Sequence, residues 1–410
     1  MPPVAAAAAT ERRDTAQGAP QTTTTVKINR SRSLLALSTT ALALPGIVRA
    51  DAPPVESTLS YKISNYKEDD LSRSEVPFGD LDRYDIDVHQ FQLITPIGRN
   101  MALRIEANYE SLSGASPWFT LADSDGKPIV SLSGASGIRD RRSEISVGAS
   151  YYLENGSISG NIGYSEENDY RAVYAGLSGE RHFNNNNTTL SAGLSYSSDD
   201  ISPTDAKLFN RVSNEHKSST SAYFSVSQLI NQVSSIQSGF SITEQSGFLS
   251  DPYKLRDVRP GDKTQLAWTT SYRRFFTTAD AALHLNYRLY HDDFGVSSHT
   301  LDTAWHQNIG RSYRLIPALR YYSQSAADFF TNIDDLTQPL TVPQSSDYRL
   351  SAFGAISGSI SLVADFGKWS ATLTAERYIA KEKYSAYEVS QPSTALVAYK
   401  RLSFGIDYSF

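Results

Sequence analysis

From residue 51 onward, apolar and polar residues alternate along the chain with a period of two. Leu103, Ile105, Ala107 and Tyr109 share one face, opposite Arg104, Glu106, Asn108 and Glu110. Ile145, Val147, Ala149, Tyr151 and Leu153 repeat the pattern, and Ile158, Gly160, Ile162 and Tyr164 return it after Glu154-Asn155-Gly156, a hairpin turn of the Asn-Gly kind. Later segments run over Leu190–Tyr196, Leu266–Tyr272, Ala281–Leu289 and Trp369–Ala375. The chain closes on Leu396, Ala398, Lys400, Leu402, Phe404, Ile406, Tyr408 and Phe410, apolar but for Lys400, interleaved with a mostly polar or small set. A period of two predicts strands with one apolar and one polar face.

The connections alternate in length. Short ones fall near 96–100, 154–157, 184–187, 230–233, 277–280, 308–312 and 366–369. Longer ones fall near 67–83, 114–140, 199–217, 247–263, 325–346 and 381–395, with two brief ones on the same side near 166–169 and 292–297. This predicts an all-β, transmembrane antiparallel β-barrel of about 16 strands (range about 14–18), with short periplasmic turns and longer outer loops. Two segments are irregular. Tyr84–Thr95 changes phase between Val88 and Phe91, which predicts a bulge, and Tyr348–Phe366 is long for one crossing. A soluble sandwich or propeller is disfavoured by polar faces rich in Ser, Thr, Gly and charge, by Tyr and Trp near strand ends, and by a terminal strand that stops on Phe410.

Composition sharpens this reading. The mean hydropathy of -0.37 is low for a membrane protein, and no run of about 20 consecutive apolar residues, which a membrane helix needs, occurs after residue 50. A barrel needs none, because only alternate residues meet lipid. The chain has no cysteine, which excludes disulfides, Cys-ligated zinc and iron–sulfur clusters. The net charge of -6 gives no basic footprint for nucleic acid. Residues 1–26 are an Ala/Thr-rich extension of low complexity. Residues 27–50 have the plan of a signal peptide: Lys27, Arg30 and Arg32, then apolar Leu34–Val48, then Val48-Arg49-Ala50 before a cleavage point. Residues 51–410 are expected to form a single barrel domain.

Sixteen strands enclose an aqueous lumen. Alternation assigns Arg104, Glu106, Glu110, Arg273, His284, Arg288, Asp302, His306 and Arg320 to its wall. Such charges either orient a polar solute or pair into a network that stiffens the wall. His291 beside Asp292 and Asp293 invites a catalytic reading, but the spacing is too common to specify one. No catalytic residue, cofactor or metal is expected, since no ligand spacing is diagnostic. The 114–140 connection is framed by two copies of Ser-Gly-Ala-Ser, at 113–116 and 133–136. Ser113, Gly114, Trp118, Phe119, Arg139 and Arg141 are candidates for a loop that folds inward and constricts the pore; packing on neighbouring outer loops is the alternative. If it constricts, deleting 120–132 raises conductance.

YDIDVHQFQLITPIG (84–98), SGASPWF (113–119), SGFLSDPYKL (246–255), YRLYHDDFGVSSHTLDTAWHQNIG (287–310) and RYYSQSAADFF (320–330) together resemble the bacterial envelope family catalogued as domain of unknown function 3570. The resemblance covers about residues 55–410. It implies an outer-membrane barrel of a Gram-negative bacterium, and it carries no catalytic residues. Family members are often encoded beside a flavin transferase and a small lipoprotein, which implies a redox or metal-handling partner. The expected function is a porin-like passive channel or envelope scaffold. The alternatives are a non-conducting sleeve or anchor for a lipoprotein partner and, more remotely, a hydrolase. The expected partners are outer-membrane lipids, the barrel-assembly machinery reading the C-terminal strand with Phe410 as its signal, and a periplasmic or lipoprotein partner.

Overall fold

The computed structural model describes residues 53–77, 79, 81–133 and 139–410. The extension and signal peptide expected over 1–50, and the Gly-Ala-Ser of the second repeat copy, lie outside these residues. In chain order the strands are β1 (Thr58–Glu68), β2 (Asp85–Ile97), β3 (Met101–Ser113), β4 (Ser116–Ala122), β5 (Pro128–Ser133), β6 (Arg139–Leu153), β7 (Gly156–Glu166), β8 (Tyr170–Phe183), β9 (Thr188–Ile201) and β10 (Glu215–Asn231). They continue as β11 (Ser234–Gly247), β12 (Asp257–Val258), β13 (Asp262–Phe276), β14 (Ala281–Asp292), β15 (Ser297–Ile309), β16 (Tyr313–Gln324), β17 (Gln344–Ser345), β18 (Phe353–Phe366), β19 (Trp369–Lys381) and β20 (Ala398–Ser409).

Sixteen of them close into one barrel, in the ring order β1-β2-β3-β6-β7-β8-β9-β10-β11-β13-β14-β15-β16-β18-β19-β20. Every pair of ring neighbours is antiparallel, and all but β1 and β20 are consecutive barrel strands along the chain. The seam is β1 on β20, in register from Thr58↔Ser409 to Glu68↔Tyr399. Below the seam the N–H of Ser57 donates to Phe410 O and the N–H of Phe410 to Ser57 O, both at 2.9 Å. Closure leaves none of the sixteen barrel strands with an unpaired edge, the condition for crossing a bilayer with strands.

The period of two sorts the side chains as expected. Ile145, Ile162, Leu177, Leu194 and Leu319 point outward and are 51–66 % exposed. An apolar surface that continuous needs lipid rather than water. The inner face is polar: Ser64 bonds Ser403 at 2.8 Å, Gln92 donates to Glu106 at 2.6 Å and Ser271 donates to Asn286 at 2.8 Å. Glycine lets large inward rings lie against the wall. A Cβ on Gly163 would fall 2.2 Å from the Tyr174 ring. Outward aromatics gather at the turn end, where Trp369 meets Tyr408 at 4.4 Å and Phe276 meets Trp305 at 5.5 Å.

Three local expectations need adjustment. β2 has no bulge and pairs in unbroken register with β1 and β3. Its phase change arises because Ile86 and Val88 face inward, into a small core with Leu112, Tyr66 and Tyr84 at the loop end of the lumen. In the β6–β7 hairpin, Leu153 pairs with Gly156 and the turn residues are Glu154 and Asn155. Of the long segment at 348–366, Tyr348–Leu350 forms a 3-10 turn and only Phe353–Phe366 is strand.

Candidate functional site

The alternation places the predicted wall residues on the inner face, in differing company. Near mid-height Arg320 donates to Asp302 at 2.5 Å, and Glu106 accepts from Gln92 at 2.6 Å and Ser146 at 3.3 Å. Toward the loop end Arg142 is shared by Glu144 at 2.7 Å, Glu110 at 3.6 Å and Glu167 at 3.9 Å. Arg288 lies 5.3 Å from the Tyr290 ring centre. Toward the turn end the His284 and His306 rings sit 3.9 Å apart. Beside them Arg273 donates to the carbonyls of Tyr272 and Leu285 at 3.1 and 3.2 Å. Lys62, Arg104 and Arg314 are exposed on this inner face toward the turn end, so the lower lumen holds water, and Arg320 and Arg401 are exposed above them.

The loop end is built differently. Residues 116–133 fold as the β4–β5 hairpin. Trp118 O accepts the N–H of Leu255, from the β11–β13 loop, at 3.0 Å. Thr120 and Asp334, from the β16–β18 loop, exchange two bonds, at 2.8 and 2.9 Å. Val130 donates to Glu75, from the β1–β2 loop, at 2.8 Å. β3 and β6 stand third and fourth in the ring, β11 and β13 ninth and tenth, β16 and β18 thirteenth and fourteenth. The hairpin therefore touches loops six places away in both directions round a ring of sixteen. Contacts that far apart lie across the mouth, not along its rim.

A second tie crosses the mouth beside the hairpin. β12 and β17 pair Asp257 with Ser345 and Val258 with Gln344. Arg259 donates to Asp257 and Asp347 at 2.8 Å, and Arg349 grips Asp347 and reaches Asp251 at 3.2 Å. The Asp257 and Asp347 side chains are wholly buried. Burial works against the Asp347 charge, yet Arg349, Lys254 and Arg259 hold its carboxyl well below the usual range. Arg83 pairs with buried Glu68 at 2.7 Å and lies 5.4 Å from the Tyr348 ring centre. Burial disfavours the Arg83 charge, and Glu68 more than restores it.

The constriction candidates divide. Trp118 and Phe119 pack edge to face at 4.9 Å within β4. Gly114 adopts a φ of +107°, and a Cβ there would lie 2.2 Å from Arg83 O, so this corner requires glycine. Ser113 and Arg139 are not loop residues but a backbone pair ending β3 and starting β6. Arg141 also lies in β6, exposed on the outward face with Ile145, so alternation places it outside the lumen. The ties through Asp257, Arg259, Asp347, Arg349, Thr120 and Asp334 were not singled out from sequence. Asp-x-Arg at 257–259 and 347–349 is shared by two of these ties, but it also occurs outside them at 140–142 and 169–171 and so does not mark them out.

One further group sits at the loop end, where β6 begins. Asp140, Glu167 and Asp169 each bring a carboxylate oxygen within 4.8 Å of the others, and all three are buried. Asp169 accepts a short hydrogen bond from Tyr253. Burial, with Asp140 nearby, pushes its carboxyl up to about 7 despite that bond.

A family model described as protein of unknown function (DUF3570) matches residues 34–391. The chain belongs to this family. None of the curated proteins compared with the chain matches it. Among solved structures, the chain resembles a bacterial polysaccharide outer membrane secretin at 10 % identity, covering 86 % of this chain and 98 % of that one, with a TM-score of 0.50. It is also similar to CdiB from Acinetobacter baumannii, at 8 % identity over 86 % of this chain and 60 % of that one, with a TM-score of 0.49. The siderophore receptor PirA from Pseudomonas aeruginosa aligns at 15 % identity over 86 % of this chain and 62 % of that one, with a TM-score of 0.43. This DUF3570 chain thus spans about three fifths of the last two. At such identities the likeness bears on fold, and the fold is that of an outer-membrane β-barrel.

Proposed function

We propose that this DUF3570 protein is a capped barrel of the Gram-negative outer membrane: an envelope scaffold whose lumen opens to the periplasm and is closed outside by its own loops. The observation that carries this reading is the β4–β5 hairpin bonded across the mouth to Leu255 and Asp334. A freely conducting porin keeps that mouth clear. The wet lower lumen is then a sleeve for a periplasmic or lipoprotein partner. The signal peptide, lipid contact along the outward face and an assembly signal at Phe410 belong to the same reading, and catalysis does not. His291 does contact Ser297 at 2.9 Å. But Asp292 and Asp293 serve Lys263, the Val296 N–H and the Thr264 N–H instead of orienting that imidazole.

The exposed inner-face cations favour a second reading, an anion-preferring channel once the cap lifts. Planar-bilayer recording separates the readings. A capped scaffold gives no steady single-channel steps, and deletion of 120–132 produces them. Steady steps from the intact protein overturn the cap.

A further inference from the structure

We propose that Asp140, Glu167 and Asp169 form a binding site for a divalent cation of the calcium class. The donors come from two elements. Asp140 is the second residue of β6, on its inner face, and Glu167 and Asp169 flank Asn168 in the β7–β8 connection. They are 0, 7 and 2 % exposed. Asn168 Nδ2 and the Arg141 N–H both donate to Asp140 Oδ1 at 2.8 Å, which fixes that carboxylate. The Glu167 N–H donates to Tyr170 O and the Ser202 N–H to Asp169 O, both at 2.7 Å, which fixes the loop.

An independent feature points to a ligand. Asp169 Oδ2 takes the Tyr253 hydroxyl, while Oδ1, itself buried, has no hydrogen-bond partner. Buried carboxylate oxygens are rarely left so, because each gives up its water without replacement. Arg142, which stands beside Glu167, makes no hydrogen bond to Asp169 Oδ1. It is 3.9 Å from Glu167 and is shared with Glu110 and Glu144, and Glu110 Oε2 is also buried without a partner.

The donor set selects the ion class. All three donors are carboxylate oxygens, hard ligands without nitrogen or sulfur, which suit Ca²⁺ rather than Zn²⁺ or Cu²⁺. Oxygens bound to one Ca²⁺ at about 2.3–2.6 Å lie within about 5 Å of each other, and the 4.8 Å limit here meets that condition. An irregular loop suits the flexible shell of Ca²⁺ better than the strict octahedron of Mg²⁺. The site also reaches the cap. Tyr253 belongs to the β11–β13 loop, its hydroxyl accepts the Thr204 N–H at 3.2 Å, and Arg211 lies over its ring at 4.7 Å. A cation here would fasten the wall to three outer loops at once.

Tb³⁺ is the probe, because a nearby tyrosine sensitises its emission and Ca²⁺ competes for its sites. The full barrel is titrated in detergent micelles after chelation. The expected result is saturable emission, displaced by Ca²⁺ at lower concentration than by Mg²⁺, with affinity about tenfold or more weaker in Asp169→Asn. Heat-modifiable gel mobility establishes that the variant is folded; if it is not, Glu167→Gln replaces it. Emission that is absent, that Ca²⁺ does not displace, or that persists undiminished in the folded variant overturns the site. The readout involves no conductance, so it stands or falls separately from the capped-barrel reading.

Discussion

Thr120 and Asp334 hold each other twice: the Thr120 N–H donates to Asp334 Oδ2 at 2.9 Å, and the Asp334 N–H donates to Thr120 O at 2.8 Å. Thr120 is 2 % exposed, so water cannot replace the carboxylate if it is removed. Asp334→Ala is expected to loosen the hairpin by about 1–3 kcal/mol. Limited proteolysis should then cut between 120 and 132 in the variant and spare the wild type, while barrel mobility on gels stays heat-modifiable. Equal protection of both proteins would refute the tie.

Asp347 is the shared counter-ion of Arg259 and Arg349. Asp347→Asn leaves two cations without it, a change of about 3–5 kcal/mol in a buried pair. The lower part of that range applies, because the Arg349 side chain is 38 % exposed. The variant is expected to show channel steps in bilayers where the wild type is silent. Silence in both would separate this ion network from closure of the mouth.

The same carboxyl sets a pH window. Its folded value lies below its ordinary 3.8, so its contribution is complete above that point and fades only as pH falls further. Cap protection against protease is therefore expected to drop below about pH 4. The Asn variant should lack that acid step. A loss centred near neutrality would assign the control to another group.

Gly163 lies beneath the Tyr174 ring, whose hydroxyl donates to Glu144 at 2.6 Å. Gly163→Ala is expected to destabilise the barrel by about 1–3 kcal/mol through overpacking. Gly163→Ala with Tyr174→Ala should be less unstable than the sum of the two single changes, because the clash is gone. Urea midpoints of the four proteins measure this. Strict additivity would show that the ring and the glycine are independent.

Phe410 stacks on Tyr408 at 5.6 Å and closes the last backbone pair with Ser57. Deleting it is expected to lower the heat-modifiable, folded fraction in the outer membrane, whereas Lys400→Ala leaves that fraction unchanged. An unaltered yield after deletion would remove Phe410 as an assembly signal.

The barrel could be read from sequence because each strand carries its own evidence: Leu103 to Tyr109 alternates whatever surrounds it. Lys400, the exception in the last strand, stands in register with Lys67 and Arg377, and Arg377 binds Asp69 at the loop end, so the break in alternation marks the strand's polar margin. The alternation of β2 misled for the opposite reason. Val88 faces inward, yet it is apolar because it lies under the cap. Nothing within residues 114–140 says what the hairpin will touch. Its partners Leu255 and Asp334 follow from ring order, which exists only once the sheet has closed. The Asp140 group shares this difficulty, since Asp140 stands apart in sequence from Glu167 and Asp169.

Thr120 and Asp334 are separated by 214 positions in the chain. β4 lies near the start of the chain and the β16–β18 loop near its end, and it is the closed ring that brings them together. The lid thus cannot form on a half-built wall. A stalled or strand-deficient intermediate would be both unsealed at its seam and uncovered at its mouth, and therefore open to proteases.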